Sequence, residues 1–261
     1  MTTVFVTGAS AGFGAAIVRR FAADGARVVA SARRAERLMA LADELGANVL
    51  PLELDVRDRT AVGQAIAGLP VDFAEIDILV NNAGLAKGLE PAHEADLDDW
   101  EQMVDTNCKG VVHCTRAVLP GMVARGCGHV VNLGSVAGTY PYPGGNVYGA
   151  TKAFVHQFSL NLRSDLHGTR IRVTCVEPGM CGGTEFSTVR FHGDAASADA
   201  VYAGVEALTA EDIAEAVHWI TSLPEHVNVN TIELMPVAQS FAAFQVHRES
   251  SGDQEGTGST R

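Results

Sequence analysis

Seven short runs rich in Val, Ile and Leu recur along the chain, at 3–7, 27–30, 49–54, 77–80, 129–133, 171–176 and 230–235. Most are continuously apolar rather than alternating, which is how a strand covered on both faces reads. Between them lie stretches of helical composition at 13–23, 35–45, 59–67, 98–125, 148–167 and 211–222, with stop signals at Asp24-Gly25, Gly46 and His167-Gly168. Parallel strands joined by right-handed crossovers need helices on both faces. The rhythm therefore predicts an α/β fold built on one doubly wound parallel sheet of about seven strands. Ligands bind such sheets at the carboxyl ends of the strands, so function is expected in the turns that follow them.

The 261 residues, 47% of them hydrophobic, suffice for one sizeable core rather than two. A formal charge of -12, from 19 Lys and Arg against 31 Asp and Glu, argues against nucleic acid or an anionic membrane surface as partner. No run approaches the ~20 apolar residues of a membrane-spanning helix, and the first residues lack the features of a signal peptide, so the expected location is the cytoplasm. Cys108, Cys114, Cys127, Cys175 and Cys181 are odd in number and include no Cys-x-x-Cys pair, which reads as reduced thiols. Cys108, His113 and Cys114 fit no structural zinc spacing, and no metal is assigned.

Two regions break the rhythm. Residues 179–209 are rich in Gly, Ala, Ser, Thr and Asp, the composition of a long insertion that serves as a lid within a domain spanning 1–248. Residues 249–261 contain no apolar anchor and are expected to be a disordered tail.

The first strand runs into Thr7-Gly8-Ala9-Ser10-Ala11-Gly12-Phe13-Gly14 and then a helix. Glycines there let the backbone turn tightly against a pyrophosphate, while the helix N-terminus offers free N–H groups and partial positive charge. Any strand-to-helix turn can use glycine; the position between first strand and first helix favours a dinucleotide. Strand two ends in Ala32-Arg33-Arg34, without the acid that would hold the ribose hydroxyls of NAD. Two guanidiniums suit a 2′-phosphate, which selects NADP, unless both arginines merely open a solvated helix with Glu36 and Arg37. Asp55, after strand three, either accepts from the adenine amine or caps a turn. Asn81-Asn82-Ala83-Gly84, after strand four, either flanks the cofactor or stabilises the central turn.

Tyr148 and Lys152 stand four apart at the start of a helical stretch and share a face. A phenol titrating near 10 becomes a useful proton carrier when an ammonium stabilises its phenolate. Ser135, at the end of strand five, could orient a substrate oxygen.

The ordered set Thr-Gly-x-x-x-Gly-x-Gly (7–14), Asn-Asn-Ala-Gly (81–84), Asn107, Ser135, Tyr148-x-x-x-Lys152 and Pro178-Gly179 resembles the short-chain dehydrogenase/reductase family over about 1–240. The resemblance implies a Rossmann-type sheet, with Tyr148 as general acid/base and Lys152 lowering its pKa and binding the nicotinamide ribose. It further implies that Ser135 positions the carbonyl and Asn107 supports a proton relay. Cofactor contacts then fall on Gly8, Ser10, Gly12, Phe13, Gly14, Arg33, Arg34, Asp55, Asn82, Ala83, Gly84, Pro178, Gly179 and Thr184. Family members pair through the helices that here span 98–125 and 148–167, which implies a dimer or tetramer.

The stretches 82–93, 144–154 and 177–191 are similar to NADP-dependent 3-hydroxy acid dehydrogenases, which oxidise L-serine, L-allo-threonine and related acids and reduce malonic semialdehyde. Cys181 departs from the aliphatic residue expected there. An acidic substrate needs a local cation, for which Arg190 is the candidate; its alternative is a surface pairing with Glu185 or Asp194. The same catalytic set would also serve a 3-oxoacyl carrier-protein reductase or a general carbonyl reductase. A non-catalytic NADP-sensing module would be expected to lack part of that set.

Overall fold

The structure, a computed structural model, describes residues 1–241; the expected tail at 249–261 and the end of the 1–248 domain lie outside the described residues. The seven strands are β1 (Thr3–Thr7), β2 (Arg27–Ala32), β3 (Val49–Glu53), β4 (Ile78–Asn81), β5 (Gly128–Leu133), β6 (Ile171–Pro178) and β7 (Thr231–Leu234). All pair in parallel, in the order β3-β2-β1-β4-β5-β6-β7. The direction of winding reverses between β1 and β4, opening the crevice where ligands bind.

The helices are α1 (Gly12–Ala23), α2 (Ala35–Leu45), α3 (Arg59–Ala67), α4 (Leu97–Val104), α5 (Gly110–Arg125), α6 (Asn146–Asp165), α7 (Phe186–Arg190), α8 (Ala195–Ala200) and α9 (Ala210–Ser222). Successive strand residues face opposite ways. Val4, Val6, Val28, Ala30 and Val80 are buried with Ile17 and Phe21 of α1, Leu38 of α2, and Ile213 and Val217 of α9. The intervening Phe5, Val29, Leu79 and Val130 are buried with Val62 of α3, Val118 of α5 and Leu162 of α6. Two covered faces explain why the strands are apolar without alternation.

The helical stretch expected over 98–125 is interrupted. A single π-turn at Asp105–Lys109 separates α4 from α5 and carries Asn107 into the interior. One widened turn rotates that side chain away from a regular helical face, a feature that recurs at functional sites. The insertion at 179–209 holds the short helices α7 and α8, and a bridge between Cys181 and Leu208 ties its two ends together. No helix among the described residues is long and apolar enough to cross a membrane.

Candidate active site

At the switch point, the turn after β1 is clamped by the segment after β4. Thr7 Oγ1 accepts from the backbone N–H groups of Asn82 and Ala83, both at 2.9 Å, and Asn82 Nδ2 donates to Thr7 O at 2.8 Å and Gly8 O at 3.2 Å. These contacts stabilise the turn, one of the two roles the sequence offers for the 81–84 segment. They leave no room for side chains: a Cβ on Gly8 would come within 2.9 Å of Ala83 Cα, and one on Gly14 within 2.7 Å of Asn82 Nδ2. The N-terminus of α1 has no side-chain cap, so its first N–H groups are free for an anion. Phe13, in that first turn, packs against the core. Thr184 lies over the turn, its Cβ 3.3 Å from where a Gly12 Cβ would stand. A backbone cradle, an uncapped helix end and a loop arching above them suit a pyrophosphate.

The ends of β2 and β3 meet the 179–209 insertion beside this turn. Arg33 lines a cavity of about 460 Å³ with Glu53, Leu54, Asp55 and Ala61. Asp55 closes its own turn by accepting from Arg57 N at 3.0 Å and is gripped by the Arg57 side chain, which holds its carboxyl below the usual range. Arg34 donates to Ser10 Oγ at 3.0 Å and to Glu185 at 2.7 Å, while Arg37 takes the other Glu185 oxygen at 2.8 Å. The Arg34 bond, then the Arg37 bond, holds the Glu185 carboxyl below its ordinary range. The sequence places Arg37 on a solvated helix and offers Glu185 to Arg190; their pairing with each other is not visible there, because partners 148 residues apart leave no local signal.

Ser135, Tyr148 and Lys152 converge beyond the ends of β5 and β6. All three are buried. Ser135 Oγ accepts from Ala137 N at 3.1 Å and donates to Pro178 O at 3.3 Å, which ties it to the Pro178-Gly179 corner. Gly179 in turn donates to Leu234 O at 2.7 Å. Burial pushes the Tyr148 phenol up to about 12, against the opposing pull of the Ser135 hydroxyl and the Arg190 charge. Burial likewise brings the Lys152 ammonium down to about 8. Lys152 Nζ donates to Leu133 O at 2.8 Å and lies 5.8 Å from the Tyr148 ring centroid.

Asn107 is one shell behind. Its Oδ1 accepts from Leu85 N at 2.9 Å, and its Nδ2 donates to Leu85 O at 2.8 Å and Thr151 Oγ1 at 3.0 Å. It thereby fastens the segment after β4 to α6. Gly84 fits between, since a Cβ there would stand 3.3 Å from Asn107 Oδ1 and 3.6 Å from Lys152 Nζ.

Arg190 reaches this centre from α7. Its guanidinium stands 5.3 Å from the Tyr148 ring, 5.5 Å from Tyr142 and 5.7 Å from Phe186, and it donates to the Tyr142 hydroxyl. Its buried Nε finds no hydrogen-bond partner among the described residues. The surface alternative fails on both partners: Glu185 is held by Arg34 and Arg37, and Asp194 caps α8. Cys181, the residue that departs from the resemblance, is buried, which pushes its thiol up to about 12. Tyr142 and Phe186 were not singled out in the sequence; Tyr142 sits in the aperiodic Tyr140-Pro141-Tyr142-Pro143 run, whose only signal is composition.

Known proteins resemble the chain over most of its length. A family model described as short chain dehydrogenase matches residues 2–195. The chain is 63% identical over 245 residues to the NADP-dependent 3-hydroxy acid dehydrogenase YdfG of Salmonella typhi, covering 94% of this chain and 99% of that protein. It is 54% identical over 248 residues to the serine 3-dehydrogenase of Rhizobium radiobacter, covering 95% and 99%. A closed form of serine dehydrogenase complexed with NADP+ superposes with a TM-score of 0.94 at 61% identity, covering 95% of this chain and 100% of that one. The chain belongs to the short-chain dehydrogenase family.

Proposed function

We propose that this protein is a cytoplasmic, NADP-dependent dehydrogenase that oxidises the 3-hydroxyl of small 3-hydroxy acids such as L-serine, L-allo-threonine, 3-hydroxyisobutyrate and 3-hydroxypropionate. The reverse reaction reduces the matching semialdehydes, malonic semialdehyde among them. The observation that carries the reading is Arg190, half-buried beside the Tyr148 ring, whose buried Nε has no hydrogen-bond partner among the described residues. A carboxylate accepting from that guanidinium would hold the 3-carbon of a short acid against the phenol.

Bound NADP supplies the hydride acceptor at its nicotinamide. Ser135 holds the substrate oxygen by hydrogen bonding, and Tyr148 takes the hydroxyl proton during oxidation or returns it during reduction. The Lys152 ammonium opposes the effect of burial on the phenol, favouring phenolate, and contacts the nicotinamide ribose. Asn107 keeps the segment after β4 seated against α6. Gly8, Ser10, Gly12, Phe13, Gly14 and Thr184 surround the pyrophosphate, and Asn82, Ala83, Gly84, Pro178 and Gly179 wall the nicotinamide side. Arg33 and Arg34 take the 2′-phosphate, beside an adenine near Asp55. The 179–209 segment acts as the lid. Exposed Val104, Val112 and Phe154 on α4, α5 and α6 support a homo-oligomer, dimer or tetramer, paired through those helices.

The test is a set of initial rates with NADP and Arg190→Ala protein, using L-serine and a neutral short alcohol. Loss of serine turnover efficiency with the alcohol rate retained supports the clamp. An unchanged Michaelis constant for L-serine removes it.

A further inference from the structure

On the side of the sheet covered by α6, a nitrogen, a sulfur and an oxygen converge where the proposed chemistry makes no use of them. Cys175 and Glu177 lie two residues apart on β6 and so point to one face, and His156 reaches them from α6, one turn beyond Lys152. Glu177 Oε1 accepts from His156 Nδ1 at 2.6 Å and from Cys175 Sγ at 3.6 Å. All three ligand atoms lie within 4.8 Å of one another. Cys175 is 0% and Glu177 2% exposed, whereas the His156 side chain is 32% exposed and opens the cluster to solvent.

Two features set this group apart from an ordinary histidine–carboxylate pair. Among the described residues, Glu177 makes no ion pair with Lys or Arg, although a buried carboxylate is costly without a cation. The wall behind the cluster is bare backbone: a Cβ on Gly134 would stand 2.8 Å from Cys175 Sγ and 3.0 Å from Glu177 Cγ. The strand segment 133–135 therefore separates the cluster from the site, carrying Ser135 and the carbonyl that holds Lys152.

We propose that His156, Cys175 and Glu177 form a binding site for a thiophilic divalent cation of the zinc type, seated behind Ser135. Imidazole nitrogen, thiolate sulfur and carboxylate oxygen are the three donors zinc accepts, and a water entering beside His156 completes a tetrahedron. On binding, the Cys175 thiol proton leaves to solvent, His156 vacates Nδ1 and keeps one proton on Nε2 as the neutral imidazole, and each donor atom supplies an electron pair to the ion; nothing is oxidised or reduced. The site is distinct from Cys108, His113 and Cys114, whose spacing argued against a metal. His113 Nδ1 is engaged by Val56 O at 3.0 Å, and Cys114 is buried in the core.

The full chain with NADP present is titrated with Co2+ alone, then Zn2+ is added as competitor. The expected result is a thiolate-to-metal charge-transfer absorption that saturates at one ion per chain and is displaced by Zn2+. Cys175→Ser abolishes the absorption. His156→Gln, a change at the solvent edge that leaves the core intact, weakens Co2+ binding by ~10-fold or more. Should Cys175→Ser fail to fold, the His156→Gln affinity decides. Absence of the absorption in the unaltered protein, or binding unchanged in His156→Gln, overturns the proposal.

Discussion

The Arg190 guanidinium stands 5.3 Å from the Tyr148 ring and its buried Nε is unpaired among the described residues, so the 179–209 insertion delivers a cation to the phenol at the centre of the site. Tyr142 steadies it from the other side by accepting one of its N–H bonds. The arrangement predicts that Arg190→Lys raises the Michaelis constant for L-serine by ~10-fold or more, because charge-assisted hydrogen bonds contribute about 1.5–3 kcal/mol and an ammonium cannot reproduce the planar fork. Tyr142→Phe should raise it less and leave kcat within a few-fold. Equal losses of kcat and serine affinity in both variants would point to a general disturbance of the lid instead.

Tyr148 predicts opposite pH behaviour for the two directions. Its phenol is pushed up to about 12, so it rests protonated near neutrality. Oxidation needs the phenolate and should accelerate as pH rises from 7; reduction needs the phenol and should not. Lys152→Met should move the rise in oxidation to higher pH, and Tyr148→Phe should lower kcat by ~10²–10⁴-fold with NADP binding retained. Profiles of kcat/KM in both directions check this, and matching profiles would exclude Tyr148 as the proton carrier.

Arg34 and Arg37 share Glu185 of the 179–209 insertion, an exposed network that contributes only about 0–1 kcal/mol to stability. Its effect should appear in cofactor choice. Glu185→Gln frees both guanidiniums and should leave NADP affinity equal or higher. Arg33→Ala with Arg34→Ala should weaken NADP by at least ~10-fold while NAD changes little, since only the 2′-phosphate needs the cations. Fluorescence titration with both cofactors measures it; parallel weakening of NAD and NADP would contradict the assignment.

His129 sets an acid limit on stability. The ring is buried on β5, bonded to Thr174 at 2.8 Å, and burial lowers its pKa from 6.5 to about 3. The folded state thus resists protonation that the unfolded state accepts. Stability from this group is complete above pH 6.5 and falls by about 1.4 kcal/mol per pH unit as pH drops through the window toward 3. Urea unfolding between pH 7 and 4 should show that slope, and His129→Asn should flatten it even if its stability at pH 7 is lower.

Much of this was legible in the residues alone. The seven strands and the turn at 7–14 announce themselves because strand burial and tight backbone approach act locally, through apolar runs and missing side chains. Ser135, Tyr148 and Lys152 were found by spacing and by position at strand ends. Three things were not legible. The π-turn that buries Asn107 has no sequence mark, because one widened turn depends on what packs against it. Whether Arg190 faced solvent or the phenol depended on the course of the 179–209 insertion, and both surface partners suggested by proximity were held elsewhere. His156, Cys175 and Glu177 lie on two elements, and nothing in their spacing brings a helix face onto a strand face. Sequence determined which backbone segments become strands, helices and the phosphate turn, since those follow from local sterics and apolar periodicity. Only the tertiary structure decided which charged and polar groups meet, since that depends on side-chain direction across contacts tens to hundreds of residues apart.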